Sequence, residues 1–209
     1  MNIARLMALL CAATSLGCAA AEGEGEVKSE RLYIEDCWNG PFDLNPNFFA
    51  ANPYREESLL IRIQAGDDIQ ELSDGLTVLV NDLQELRGML GQDIEVGVPP
   101  GVSPPGVPLQ GDLDPPPVSL SLYLHKTCHT QIGTIYSVSG TIRFESLFSG
   151  DMNEGSSEDR LTEGSFTANF GDPRQLAPGS SADPALVTSL VTGNFSFFFQ
   201  RGQPSQPFN

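Results

Sequence analysis

The densest group of side chains able to do chemistry is His125-Lys126-Thr127-Cys128-His129. A structural zinc takes four ligands, and this run offers at most three, so a fourth would have to come from elsewhere. Covalent haem attachment through C-x-x-C-H requires a Cys where His125 stands. The expectation is therefore a pair of surface histidines beside a disulfide, with no metal and no cofactor. Glycoside hydrolysis needs two carboxylates across a cleft. With 27 Asp and Glu in the chain, such pairs are unavoidable and identify nothing. Ser/His/Asp catalysis lacks a G-x-S-x-G elbow, and the only two histidines sit together. Catalysis is not expected, and a polysaccharide hydrolase stands as the second alternative.

Asp151, Asn153 and Glu154 have the spacing of oxygen donors that opens a calcium loop. The later positions depart from the EF-hand: Ser156 stands where Gly is needed for the turn, and Thr162 where a bidentate Glu is needed. Asp67-Asp68 and Asp112-Leu113-Asp114 are further sources of oxygen ligands. A solvated acidic loop is the expectation, with a calcium-dependent adhesion or glycan-binding module as the first alternative.

A different chemistry is written at the N-terminus, MNIARLMALLCAATSLGCAA. One basic residue, Arg5, precedes a short apolar run that ends in small residues, the pattern of a secretory signal. The apolar stretch at residues 6–16 is well short of the ~20 residues that cross a bilayer. Ser15-Leu16-Gly17-Cys18 resembles a bacterial lipobox, with Gly17 and Cys18 in register and Ser15 in place of the usual Leu. Cleavage before Cys18 and its acylation would put a stable multi-chain lipid anchor on the mature protein. Ala19 rather than Asp after the Cys implies, by likeness to Gram-negative lipoproteins, the outer membrane. Plain secretion and a buried N-terminal helix are the competing readings.

Loss of residues 1–17 removes Arg5 and Cys11. The chain carries a net charge of −16, and losing Arg5 makes the exported part more acidic still. Such a surface repels nucleic acid and keeps a tethered protein soluble. With Cys18 lipidated, Cys37 and Cys128 remain, an even pair that reads as one disulfide in an exported protein. Closing a loop of about 90 residues would stabilise by about 3–5 kcal/mol on chain-entropy grounds. Roughly 190 exported residues suit a single domain.

The elements that must carry these groups follow from periodicity. Residues 18–30, rich in Gly, Ala and Glu, read as a lipidated Cys and a flexible acidic tether. Residues 31–209 read as one domain. The aromatics of residues 31–54 are expected to pack on a sheet edge without forming a long element. Leu59, Ile61 and Ile63 mark a strand. Asp74-Gly75 reads as a turn, followed by a strand at 76–81 and a short helix at 82–89 capped by Asp82. Another strand is expected at 94–98. Half of the chain's sixteen prolines fall in residues 99–117, a stiff surface loop. Strands are expected near 118–125, 132–138, 140–148, 161–170 and 186–200, the last with Val191, Phe195, Phe197 and Phe199 on one face. His125 falls on the polar face of its strand. Tyr123 and Phe198 are candidate contact aromatics, with burial between layers the favoured reading for Phe198. The fold class is all-β: an antiparallel sandwich or barrel-like fold with one short helix.

Taken together, the lipobox, the acidic tether, Cys37 before Gly40-Pro41-Phe42, Leu83 to Arg87, the later Cys128, the Gly140 to Phe144 strand and the closing Phe-rich strand with its Arg201 to Phe208 tail resemble the uncharacterised lipoproteins of myxobacteria and related deltaproteobacteria. The resemblance spans most of the chain and contains no active-site signature. It implies an outer-membrane or cell-surface lipoprotein held by lipid on Cys18, non-catalytic, with a structural or binding role toward a protein or glycan.

Overall fold

The structure, a computed structural model, describes residues 23–55, 57–66, 73–102, 115–129, 133–177 and 180–200. The signal peptide, Cys18, Asp67-Asp68 and Asp112 to Asp114 lie outside the described residues.

Ten strands form one continuous sheet: β1 (Gly23–Ile34), β2 (Trp38–Leu44), β3 (Phe48–Pro53), β4 (Leu59–Ala65), β5 (Asp74–Val80), β6 (Asp93–Gly97), β7 (Val118–Leu124), β8 (Thr134–Ser146), β9 (Leu161–Gly171) and β10 (Thr188–Phe198). Their order is β2-β1-β10-β9-β8-β6-β7-β5-β4-β3, and β7 also pairs with β8. All pairings are antiparallel except the short β6–β7 contact. The Pro-rich segment thus joins two neighbouring strands of one sheet.

The two edge strands, β2 and β3, are consecutive in sequence and separated only by residues 45–47. A connection that short reaches little more than ~14 Å. The sheet must therefore curl until its edges approach, making a half-barrel. Phe49 on β3 stacks on Phe197 of β10 across the interior, with ring centroids 5.6 Å apart. Phe148 and Phe199 stack at 4.2 Å. The all-β expectation holds, and the two layers of the core are two parts of a single sheet.

Alternation explains the inner face. Leu59, Ile61 and Ile63 of β4, Leu76, Val78 and Val80 of β5, and Val118, Leu120, Leu122 and Leu124 of β7 are all fully buried. Each such side chain contributes about 1.5–3 kcal/mol of burial. The α1 helix (Leu83–Arg87) starts where expected: Asp82 accepts a hydrogen bond from the Glu85 backbone N–H. Among the described residues, further single-turn helices are α2 (His125–Cys128), α3 (Ser157–Arg160), α4 (Pro173–Leu176) and α5 (Pro184–Val187).

Several expectations are corrected. Residues 23–30 are not a tether but the first part of β1, paired to β10 and partly to β2. In Gly23-Glu24-Gly25-Glu26-Val27 the period is two: the acids point out, and the glycines let the strand lie against aromatic core. A Cβ on Gly23 would sit 2.6 Å from Phe197 Cβ and 2.8 Å from the Phe49 ring. Residues 38–44 and 48–53 are true strands, the two edges of the sheet. Asp74-Gly75 is not a turn, since both residues belong to β5. Tyr123 is buried, its phenol pushed up to about 12 by desolvation, and it donates to Gln64 Oε1 at 3.2 Å. Phe198, by contrast, is exposed at 43%. The strands expected at 132–138 and 140–148 are one long β8, whose register against β9 shifts between Ser137 and Ser139 and again between Phe144 and Ser146.

Candidate functional site

The sequence-predicted groups are scattered. Cys37 and Cys128 are joined in a disulfide, with Cα atoms 5.4 Å apart, across the opening of the curled sheet. His125 is not on the strand but begins α2. Its ring lies 5.0 Å from that of Tyr123, and Nε2 shares a 3.2 Å hydrogen bond with Thr134 Oγ1. Burial holds its pKa below the ordinary value, opposed by the Asp74 carboxylate and assisted by the charge of Arg62. His129 ends the same turn in the left-handed conformation and is exposed. No group of three or more His, Cys, Asp and Glu suited to a metal is found among the described residues.

The acidic loop lies at the opposite end of β8. Asp151 Oδ1 accepts from the Asn153 N–H at 2.8 Å, while Glu154 accepts from the Ser156 N–H and the Ser149 hydroxyl. These oxygens are spent closing their own loop.

A cleft of 440 Å³ opens outside the sheet between β1 and β10. Its cause is Pro41, which cannot donate to a ladder: Glu30 and Arg31 bulge opposite it, and β1 parts from β10 beyond Lys28–Thr192. The gap is sealed from within. Ser29 Oγ donates to the Leu190 carbonyl, the Tyr33 N–H donates to Ser189 Oγ, and Arg31 donates to the Leu186 carbonyl. That pattern repairs a broken ladder and leaves little chemistry for a ligand.

A second cleft, 290 Å³, lies at the end of the sheet that carries the disulfide. Thr134 and Tyr136 come from the start of β8, and Tyr136 pairs in register with Gly171, the last residue of β9. The chain then turns at Asp172-Pro173-Arg174. Asp172 caps α4 by accepting from the Arg174 N–H at 2.9 Å, with Pro173 at the first helical position where its missing N–H costs nothing. Arg174 Nε lies 2.9 Å from both Asp172 carboxylate oxygens, and Nη2 also contacts Oδ2. The Asp172 side chain is 15% exposed and that of Arg174 60%, so the fork is rooted inside with its guanidinium outward. Gly101 and Val102, at the start of the Pro-rich segment, form the other wall.

Thr134 and Asp172 also line an adjoining pit of about 10 Å³ with Tyr33, Glu35 and Gln175, space for about one water. Desolvation and the neighbouring Asp172 charge raise the Tyr136 pKa, opposed by Arg174, so its phenol remains a hydroxyl donor at neutral pH. Pairing with Asp172 raises that of Arg174. The arrangement places fixed donors and acceptors beside aromatic and apolar surface, which is equipment for binding. Both oxygens of the Asp172 carboxylate accept hydrogen bonds from Arg174.

The sequence leaves Gly171 to Arg174 between the strands expected at 161–170 and 186–200, and nothing in it singles out Tyr136. The available signal was Asp-Pro, a helix cap followed by its favoured first residue, which fixes the Asp172 side chain locally. Nothing in the sequence pairs that loop with Tyr136 or Tyr33. No family model, curated protein or solved structure matches this chain.

Proposed function

We propose that the chain is an envelope lipoprotein, anchored by lipid on Cys18 after removal of residues 1–17, whose β-body serves as a non-catalytic binding module at the cell surface or outer membrane. The observation that carries this reading is the opposed placement of two features. β1 enters the sheet at Gly23, next to Phe197, while the pit that adjoins the polar cleft lies at its other end, by Ile34 and Glu35. A strand of that length spans roughly 35–40 Å. Only residues 19–22 separate Cys18 from β1, a reach of at most ~18 Å. An anchor at Cys18 would thus hold the body close to the bilayer and present the cleft away from it. The lipobox, the resemblance to myxobacterial lipoproteins and the disulfide of an oxidising compartment support the same reading.

The test is labelled-palmitate incorporation with membrane fractionation of wild type and Cys18→Ser. Wild type is expected in the membrane fraction with label, and the variant without label and soluble. Unlabelled, soluble wild type would sink the proposal.

A further inference from the structure

We propose that the cleft between Tyr136, the Asp172–Arg174 fork and Val102 is a glycan subsite that takes one neutral sugar residue. This rests on the reading of that end of the sheet as the binding end, and adds the ligand's chemistry.

Hydrogen-bonding capacity is the first argument. Among the described residues, the half-buried Tyr136 hydroxyl lines the cleft, while the half-buried Gln175 amide and the exposed Glu35 carboxylate line the adjoining pit. Those groups comprise a hydroxyl, an amide with both donors and an acceptor, and a pure acceptor. A vicinal diol, whose every oxygen both donates and accepts, is the ligand type that uses such a mixture. An exposed guanidinium edge held by Asp172 adds fixed donors beside them.

Charge is the second. Asp172 neutralises Arg174, so no unpaired cation is left here for a phosphate or carboxylate. Glu35 and the chain's net charge of −16 further oppose a polyanion. A cationic ligand would find the Asp172 carboxylate already paired with Arg174. A neutral ligand avoids both penalties.

Shape is the third. The Tyr136 ring, Pro173 and Val102 supply apolar surface next to the polar groups, suited to the C–H face of a pyranose. At 290 Å³ the cleft lies at the small end of ligand sites, enough for one ring whose neighbours continue into solvent. The parts are preorganised: Tyr136 is held in the β8–β9 ladder, and Asp172 is fixed by its cap and its fork.

The test uses the full mature chain in detergent, titrated by calorimetry and saturation-transfer NMR with malto-, cello-, manno- and chito-hexaose. Heparin and polylysine serve as charged controls. At least one neutral oligosaccharide is expected to bind with a Kd of about 1 mM or tighter. Tyr136→Phe, which removes only the hydroxyl, and Arg174→Lys, which breaks the planar fork, are expected to weaken it roughly tenfold with unchanged melting. Asp172→Asn should weaken it further; if that variant unfolds, the other two still decide. Absence of saccharide binding at about 10 mM would overturn the inference, as would binding indifferent to both variants or binding of the charged controls alone. Palmitate labelling is read separately, so a labelled protein that ignores sugars refutes the subsite and leaves the anchor standing.

Discussion

His125 shows how one side chain can record both its location and its chemistry. It sits against Tyr123 and Thr134, faces Asp74 and Arg62, and is kept below its ordinary pKa first of all by burial. The native state therefore prefers the neutral imidazole. Above the unfolded value near 6.5 both states are neutral and the contribution to stability is complete. As pH falls below that value the unfolded chain takes up the proton first, and stability is lost as pH drops through the folded value. Wild type is expected to lose more melting temperature between about pH 7 and 5 than His125→Gln does, the excess being the histidine's share. Parallel curves would show that the ring titrates as if exposed. The neighbouring groups explain why this residue misleads a reader of the sequence. The sequence puts it on the polar face of a strand, yet it opens α2 and its contacts are a phenol ring and a hydroxyl.

At the scale of elements, the informative features are the places where the strand pattern is interrupted. β8 crosses the sheet as one strand because Gly140 takes a φ of +129°, next to the register shift against β9. A Cβ there would lie 2.4 Å from both Ala168 Cα and the Thr167 carbonyl, backbone that cannot move aside. Gly140→Ala is expected to cost more than about 2 kcal/mol in denaturant unfolding, through strain and clash together. A loss under about 0.5 kcal/mol would show that the bulge relaxes. The same dipeptide, Ser139-Gly140, made two strands out of one in the sequence reading, because a glycine inside a β-pattern signals a turn as readily as a bulge. The Gly-Glu repeat at the start of β1 misled in the opposite way: low hydrophobicity and charge imitate a tether where glycine takes the positions that lie close against a neighbouring strand. α1 was legible in full, since an Asx cap and two inward leucines act within a few residues of one another.

For the molecule as a whole, the curled sheet leaves an opening at the cleft end, and the Cys37–Cys128 bond spans it. Cys37 sits in the β1–β2 turn near one edge, and Cys128 in the turn after β7, well across the sheet. The bridge encloses a separation of 91 residues, for which the entropic estimate is about 3–5 kcal/mol. A Cys37→Ser/Cys128→Ser variant is expected to melt roughly 10 °C lower. A change of no more than about 2 °C would mean the packing of the curl needs no covalent tie. The bond also lies beside the cleft: Glu35 is two residues from Cys37, and Thr134 follows Gly133, whose Cβ position is 3.0 Å from Cys128 Sγ.

By itself the sequence determined the all-β class, most strands from β4 onward and the capped α1 helix, and it raised the expectation of a Cys37–Cys128 disulfide. The first three rest on local periodicity and local capping, while the cysteine expectation counted Cys11 and Cys18 as spent elsewhere. Only the tertiary structure decided that residues 23–30 belong to a strand of the sheet, that the sheet is continuous and curled, and that Asp172 and Thr134 are shared by a cleft with Tyr136 and a pit with Tyr33 and Glu35. Those residues are brought together by ladder register between strands distant in sequence. Register depends on the whole set of inward faces packing at once, a condition that no short window of residues contains.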